Sequence, residues 1–250
     1  MLKSFLATVS LCAVLVANVQ AANIHVAVAA NFTAPAKQLA SLFEKETGHK
    51  VILSFGGTGV LYGQIKNGAP YDVLLAADAK TPAQAVKEGY GVSGTNETYA
   101  LGKLILWSAD AGTIQNGEQV LKQGRFARCA VANPKLAPYG AAAYETMKAL
   151  GVFDATRPKF VEGDSVGKAY QFVKTGNADI GFVALSHVVR DGKLTAGSGW
   201  VVPEHLYEPI KQNAVLLTRG GEPAAAREFL AFLRGSTAKQ VKAFYGYGLP

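Results

Sequence analysis

Four short stretches combine small residues with amide or hydroxyl side chains, and each runs into a segment of helical spacing. They are Ala29-Ala30-Asn31-Phe32-Thr33, Gly56-Gly57-Thr58-Gly59, Ala137-Pro138-Tyr139-Gly140 and Gly163-Asp164-Ser165-Val166-Gly167. A helix N-terminus presents backbone N–H groups that have no acceptor within the helix, and it carries partial positive charge. Small residues let an anion approach that backbone closely. Four such turns converging on a cleft would make an oxyanion site without Arg or Lys. Each turn alone reads as ordinary capping, because Asn, Ser, Thr and Asp are common N-caps and Gly is common in turns. The combination of four turns, in a chain without a catalytic cluster, points to a site. Asp164 is the one carboxylate among them, and it is expected to be the N-cap of the helix that starts at Gly167.

Other chemistries find little support. The four histidines, His25, His49, His187 and His205, lie neither at i, i+4 nor in a Cys/His cluster, so zinc signatures are absent. No Gly-x-Ser-x-Gly elbow occurs. Ser54-Phe55-Gly56-Gly57-Thr58-Gly59 resembles a phosphate-cradling loop but lacks its closing Lys-Ser/Thr. No nucleophile–base pair is visible, so the chain is expected not to be an enzyme and to use no cofactor and no directly ligated metal. Its 25 basic and 18 acidic residues are scattered, which is a solvated surface rather than the clustered stripe of a nucleic-acid binder.

The chain opens with a leader. Lys3 is followed by an apolar run from Phe5 to Ala17 and then by Val19-Gln20-Ala21, with small residues where signal peptidase reads. The run is too short to span ~30 Å of hydrocarbon. Residues 1–21 are therefore expected to be a signal peptide, cut after Ala21 or Ala22, that exports the mature chain. Cys12 is a poor lipidation site because Leu11 before it is bulky. Cys129 is then left alone and reads as a small buried residue on a strand.

Behind the leader, strand-like and helix-like segments alternate, which predicts an α/β fold with mainly parallel sheet. Strands are expected over Ile24–Ala29, Val51–Phe55, Asp72–Ala77 and one long Thr98–Ser108. More follow over Arg128–Ala132, Phe160–Val161, Ile180–Ala184, Trp200–Val202 and Asn213–Thr218. Helices are expected over Pro35–Lys45, Val60–Lys66, Pro82–Glu88, Ala141–Leu150, Gly167–Lys174, Pro223–Arg234 and Thr237–Tyr245. Two successive α/β units suggest two lobes, 22–103 plus 214–250 and 104–213, with the C-terminal helices returning to the first. The chain would cross near Lys103–Leu106 and near Asn213–Leu216, forming a hinge. A single continuous sheet would give the same element order.

Several segments also resemble the periplasmic molybdate-binding proteins of ABC transporters. They are Val26-Ala27-Val28-Ala29-Ala30-Asn31-Phe32, Gly68-Ala69-Pro70-Tyr71-Asp72-Val73, Ala76-Ala77-Asp78, Asn133-Pro134 with Ala137-Pro138-Tyr139-Gly140, Ser165-Val166-Gly167 and Tyr245-Gly246-Tyr247-Gly248. Their order and spacing span Asn23 to Pro250. The resemblance implies the two-lobed periplasmic-binding-protein fold of type II, whose two crossover strands form the hinge. It implies a monomer that holds molybdate or tungstate by neutral donors and delivers it to an ABC permease. Turn by turn, it implies donors at Asn31 (backbone and amide), Gly57 (backbone), Thr58 (hydroxyl and backbone), Tyr139 (phenol or backbone) and Val166 (backbone), with Ala30 nearby. Family members often carry Ser in the first two turns, where this chain has Asn31, Gly57 and Thr58. Some carry Tyr at the position of Ala184, a role Tyr139 is expected to take. A fully ionised dianion offers only acceptors, so such a site suits molybdate and equally sulfate. Sulfate or phosphonate is the alternative ligand.

Overall fold

The computed structural model describes residues 21–221 and 223–250. The expected leader, Cys12 included, lies outside them except for Ala21. Twelve strands and ten α-helices are formed among the described residues. The first half builds β1 (Asn23–Ala29), α1 (Thr33–Thr47), β2 (Lys50–Gly56), α2 (Thr58–Lys66), β3 (Val73–Leu75), α3 (Lys80–Lys87), β4 (Glu97–Gly102), β5 (Leu104–Ser108) and α4 (Gly117–Gln123). Next come β6 (Cys129–Ala132), α5 (Pro138–Ala149), α6 (Phe153–Thr156), β7 (Phe160–Gly163), α7 (Val166–Lys174), β8 (Ile180–Ala184) and α8 (Leu185–Val188). A small hairpin of β9 (Val189–Arg190) and β10 (Lys193–Leu194) precedes β11 (Ser198–Val201), β12 (Ile210–Leu216), α9 (Pro223–Phe232) and α10 (Ser236–Phe244).

Two five-stranded sheets result, ordered β2-β1-β3-β12-β4 and β11-β5-β8-β6-β7. This is the two-lobed architecture. Each sheet is mixed rather than mainly parallel, because the strands next to the crossings run against the rest. β12 is antiparallel to β3 and β4, and β5 is antiparallel to β8 and β11. The expected long strand Thr98–Ser108 is two strands in different sheets, divided at Lys103. The return crossing precedes Ile210, where β12 begins to pair with β4. The expected junction at 213/214 lies inside β12, beside a register shift between Gln212 and Asn213.

Each sheet has its own core. Val26, Val28, Leu39, Phe43, Val73 and Leu75 pack with Phe229, Leu233 and Val241 of the C-terminal segment, so α9 and α10 cover the first sheet. Leu104, Leu106, Val131, Met147, Ile180 and Phe182 pack in the second. Burial of such side chains stabilises by roughly 1.5–3 kcal/mol each against leaving them exposed. Cys129 is fully buried on β6, and burial pushes its thiol up to about 12, so it is inert packing. Among the described residues no helix is long and apolar enough to cross a membrane.

The registers place the turns. β1 and β2 are parallel neighbours ending level, Ala29 opposite Gly56. β6 and β7 are parallel neighbours ending level, Ala132 opposite Gly163. Two turns therefore leave each sheet side by side at its carboxyl edge, where open α/β sheets bind ligands. The helices begin earlier than periodicity predicts. α2 starts at Thr58 rather than Val60, α5 at Pro138 rather than Ala141, and α7 at Val166 rather than Gly167. Pro138 presets helical φ in the first turn, and Gly57, Ala137 and Ser165 hold extended backbone just before it. Thr58, Tyr139 and Val166 thus stand inside first turns, where N–H groups have no helical acceptor.

Candidate functional site

The two pairs of turns face each other across a small cavity lined by Ala30, Asn31, Gly57, Thr58, Tyr139 and Val166, together with Ala29, Gly56, Ala77, Ala137, Pro138 and Ser165. All six residues expected at the site are therefore brought together. The room it leaves for a water-sized sphere is about 10 Å³. Pockets for drug-sized organic ligands run ~300–1,000 Å³, so this one has no room for such a ligand. None of these lining residues is charged. A wider cleft shares Ala77, Ala137 and Pro138 with it and carries Asp78, Lys80, Lys135, Glu145, Glu208 and Lys211.

The turns meet closely. A Cβ on Gly57 would lie 2.5 Å from the Asp164 carbonyl oxygen and 3.1 Å from that of Leu136. Gly59 N–H donates to the Leu136 carbonyl at 2.9 Å. A Cβ on Gly167 would come within 3.0 Å of Ala30 Cβ. The first-sheet and second-sheet turns are in van der Waals contact on either side of the cavity.

Two hydroxyls are set up as donors. Ala77 N–H donates to Thr58 Oγ1 at 3.0 Å, which occupies a lone pair and leaves the hydroxyl hydrogen to point elsewhere. Gln212 Nε2 donates to Tyr139 Oη at 3.0 Å with the same consequence for the phenol. Burial raises the Tyr139 pKa well above the ordinary value, so the phenol keeps its proton. Both residues are nearly fully buried. The amide of Asn31 behaves differently from the expectation. Its Nδ2 donates to Gln212 Oε1 at 2.8 Å and to Tyr247 Oη at 2.9 Å, so both amide hydrogens are engaged. Its Oδ1 is buried with no partner among the described residues. Asn31 is left with its backbone N–H as a donor.

Asp164 is not the cap of α7. That role belongs to Ser165, whose Oγ accepts from Lys168 N at 3.3 Å. Asp164 is exposed and lies outside the cavity lining, and only its backbone carbonyl approaches Gly57. Two adjacent residues of capping type differ by one position of register, and the extended backbone of Ser165 selects the second. Ala184, at the end of β8, is buried and outside the lining.

A support layer behind the first turn escapes sequence reasoning. Ser186 Oγ and Tyr247 Oη both donate to the Asn31 carbonyl at 2.8 Å. His187 Nε2 lies 3.3 Å from the Ala30 carbonyl, which fixes the proton on Nε2. Its Nδ1 is buried without a partner among the described residues. Burial lowers the His187 pKa to about 4, with Arg190 adding to the effect against the Ala30 hydrogen bond. The folded pKa lies below the unfolded one near 6.5, so the unfolded state binds the extra proton between those values. Stability is expected to fall as pH drops from 6.5 towards 4, and a His187→Gln variant should show a shallower fall of Tm over that window.

Comparison with known proteins adds to the geometry. The family model for bacterial extracellular solute-binding proteins matches residues 24–248. The molybdate-binding protein ModA of Azotobacter vinelandii is 57% identical over 230 residues, covering 92% of this chain and 91% of that protein. The molybdate-binding protein ModA of Rhodobacter capsulatus is 51% identical over 227 residues, covering 91% and 88%. A solved periplasmic molybdate-binding protein from Azotobacter vinelandii superposes with a TM-score of 0.88 at 40% identity, covering 91% of this chain and 99% of that one.

Proposed function

The chain belongs to the bacterial extracellular solute-binding protein family, alongside molybdate-binding relatives, and from that premise we propose that it captures molybdate between its lobes and delivers it to an ABC permease. It is a binding protein of the periplasm, not an enzyme, as its relatives are. The observation that carries the reading is a small cavity whose lining holds helix N-termini and two hydroxyls but no charge. The donors are the backbone N–H groups of Asn31, Gly57, Thr58 and Val166 and the hydroxyls of Thr58 and Tyr139, with Ala30 in contact. Oriented donors replace the water of a dianion without a fixed countercharge, which leaves release to the permease possible when the lobes part. Residues 1–21 direct export, and the mature chain acts as a monomer. Tungstate, of the same shape and charge, fits the same donors.

Calorimetric titration with molybdate, tungstate, sulfate and phosphate tests this reading. Binding of the two oxometallates well ahead of sulfate and phosphate is expected. Tight sulfate binding without a molybdate response would overturn it. Thr58→Val and Tyr139→Phe are each expected to weaken molybdate binding by ~1–3 kcal/mol, because each leaves an anion oxygen short of a donor. Unchanged calorimetric affinity in both variants would remove those hydroxyls from the site.

A further inference from the structure

One buried amide decides which way the hydrogen bonds around the cavity run. Gln212 is fully buried on β12, at the register shift between Gln212 and Asn213. Such shifts re-aim a side chain relative to a regular ladder. Its Oε1 accepts from Asn31 Nδ2 at 2.8 Å and from Tyr99 Oη at 3.0 Å. Its Nε2 donates to Tyr139 Oη at 3.0 Å. The amide thus ties a strand of the first sheet to the opening turn of α5 beside the second. Gly102, on the neighbouring strand β4, makes the room. A Cβ there would collide with both Tyr139 Oη and Gln212 Nε2.

A phenol has one hydrogen. If Tyr139 gave it to Gln212, the hydroxyl could offer an anion only lone pairs. Because Gln212 donates, the phenol hydrogen is left free for another acceptor. We propose that Gln212 is a positioning residue for oxyanion binding, which acts through Tyr139 by holding its hydroxyl in the donor sense. This rests on the oxyanion reading given above.

The test is molybdate calorimetry on wild type, Gln212→Glu, Gln212→Met, Tyr139→Phe and the double variant Gln212→Met/Tyr139→Phe. The introduced carboxylate is nearly isosteric but accepts only, so it takes the Tyr139 hydrogen. The charged and titratable groups around it are the hydroxyls of Tyr99, Tyr139 and Tyr247, all raised by burial, and Asp78, whose charge acts on Tyr99. The hydroxyls stay neutral across the working range. Gln212→Glu is expected to bind about tenfold or more weakly near pH 8. It should recover as pH falls to about 6, where a buried carboxyl regains its proton and can donate as the amide does. Wild type should be flat over that range. Gln212→Met should lose affinity without pH dependence, and lose far less in the Tyr139→Phe background, because the two residues act in series.

Binding by Gln212→Glu like wild type near pH 8 would overturn the proposal, since Tyr139 would then already donate to Gln212. An equal loss from Gln212→Met in both backgrounds would also overturn it, as a packing effect that does not pass through Tyr139. A full-affinity Gln212→Met beside a weakened Gln212→Glu would do the same, by reducing the effect to added charge. Failure of wild type to bind molybdate would instead overturn the oxyanion reading itself, and this proposal with it.

Discussion

Gly57→Ala is expected to reduce molybdate affinity at least a hundredfold while leaving the unliganded protein folded. The added methyl meets two backbone carbonyls of the opposing turns, Asp164 at 2.5 Å and Leu136 at 3.1 Å. Carbonyls at the ends of β7 and before α5 cannot swing aside as a flexible side chain would. Overpacking of this kind costs ~1–3 kcal/mol and occasionally more. Here it falls on the closed arrangement alone, because the clash is between turns of the two sheets. Gly57 has φ −66° and ψ 143°, which alanine adopts without strain, so the backbone N–H is kept. Calorimetry with molybdate, paired with the Tm of the ligand-free variant, separates the two effects. Wild-type affinity would show that the turns need not close to this distance. A large fall of the ligand-free Tm would show that the glycine serves folding rather than capture.

Val166→Pro is expected to weaken molybdate binding by roughly ten- to a hundredfold. It removes one backbone N–H and little else. Val166 is the first residue of α7, where proline is favoured. Ser165 before it has φ −149° and ψ 160°, the extended backbone that precedes proline. The Ser165 cap to Lys168 N should survive. Retained circular dichroism and thermal stability with weakened calorimetric binding would identify the Val166 N–H as an anion donor. Unaltered affinity would remove it from the donor set.

The turns were legible because local chemistry writes them. Glycine, proline and hydroxyl residues stand where strand periodicity gives way to helix periodicity, at Gly56–Gly59 and Ala137–Gly140 in particular. The layer behind them is not local. Gln212 and Tyr247 reach Asn31 across 181 and 216 residues of chain, and nothing in the neighbourhood of Asn31 announces them. Gln212 was also hidden by its strand, which begins at Ile210, three residues before the expected start at Asn213. The division of Thr98–Ser108 at Lys103 was illegible for a related reason. β-rich residues continue on both sides of Gly102-Lys103, and only tertiary pairing shows that Tyr99 and Leu106 belong to different sheets. α4 is not among the expected helices, and in the fold Asn116 caps it by accepting from Gln119 N at 3.1 Å.

Anomalous scattering from a crystal grown with tungstate locates the metal atom independently of any assumed pose. The account predicts one strong peak in the cavity between Asn31, Thr58, Tyr139 and Val166, with uncharged N–H and O–H groups at hydrogen-bond distance and no lysine or arginine in contact. A peak held in the wider cleft by Lys80, Lys135 or Lys211, with the small cavity empty, would contradict it.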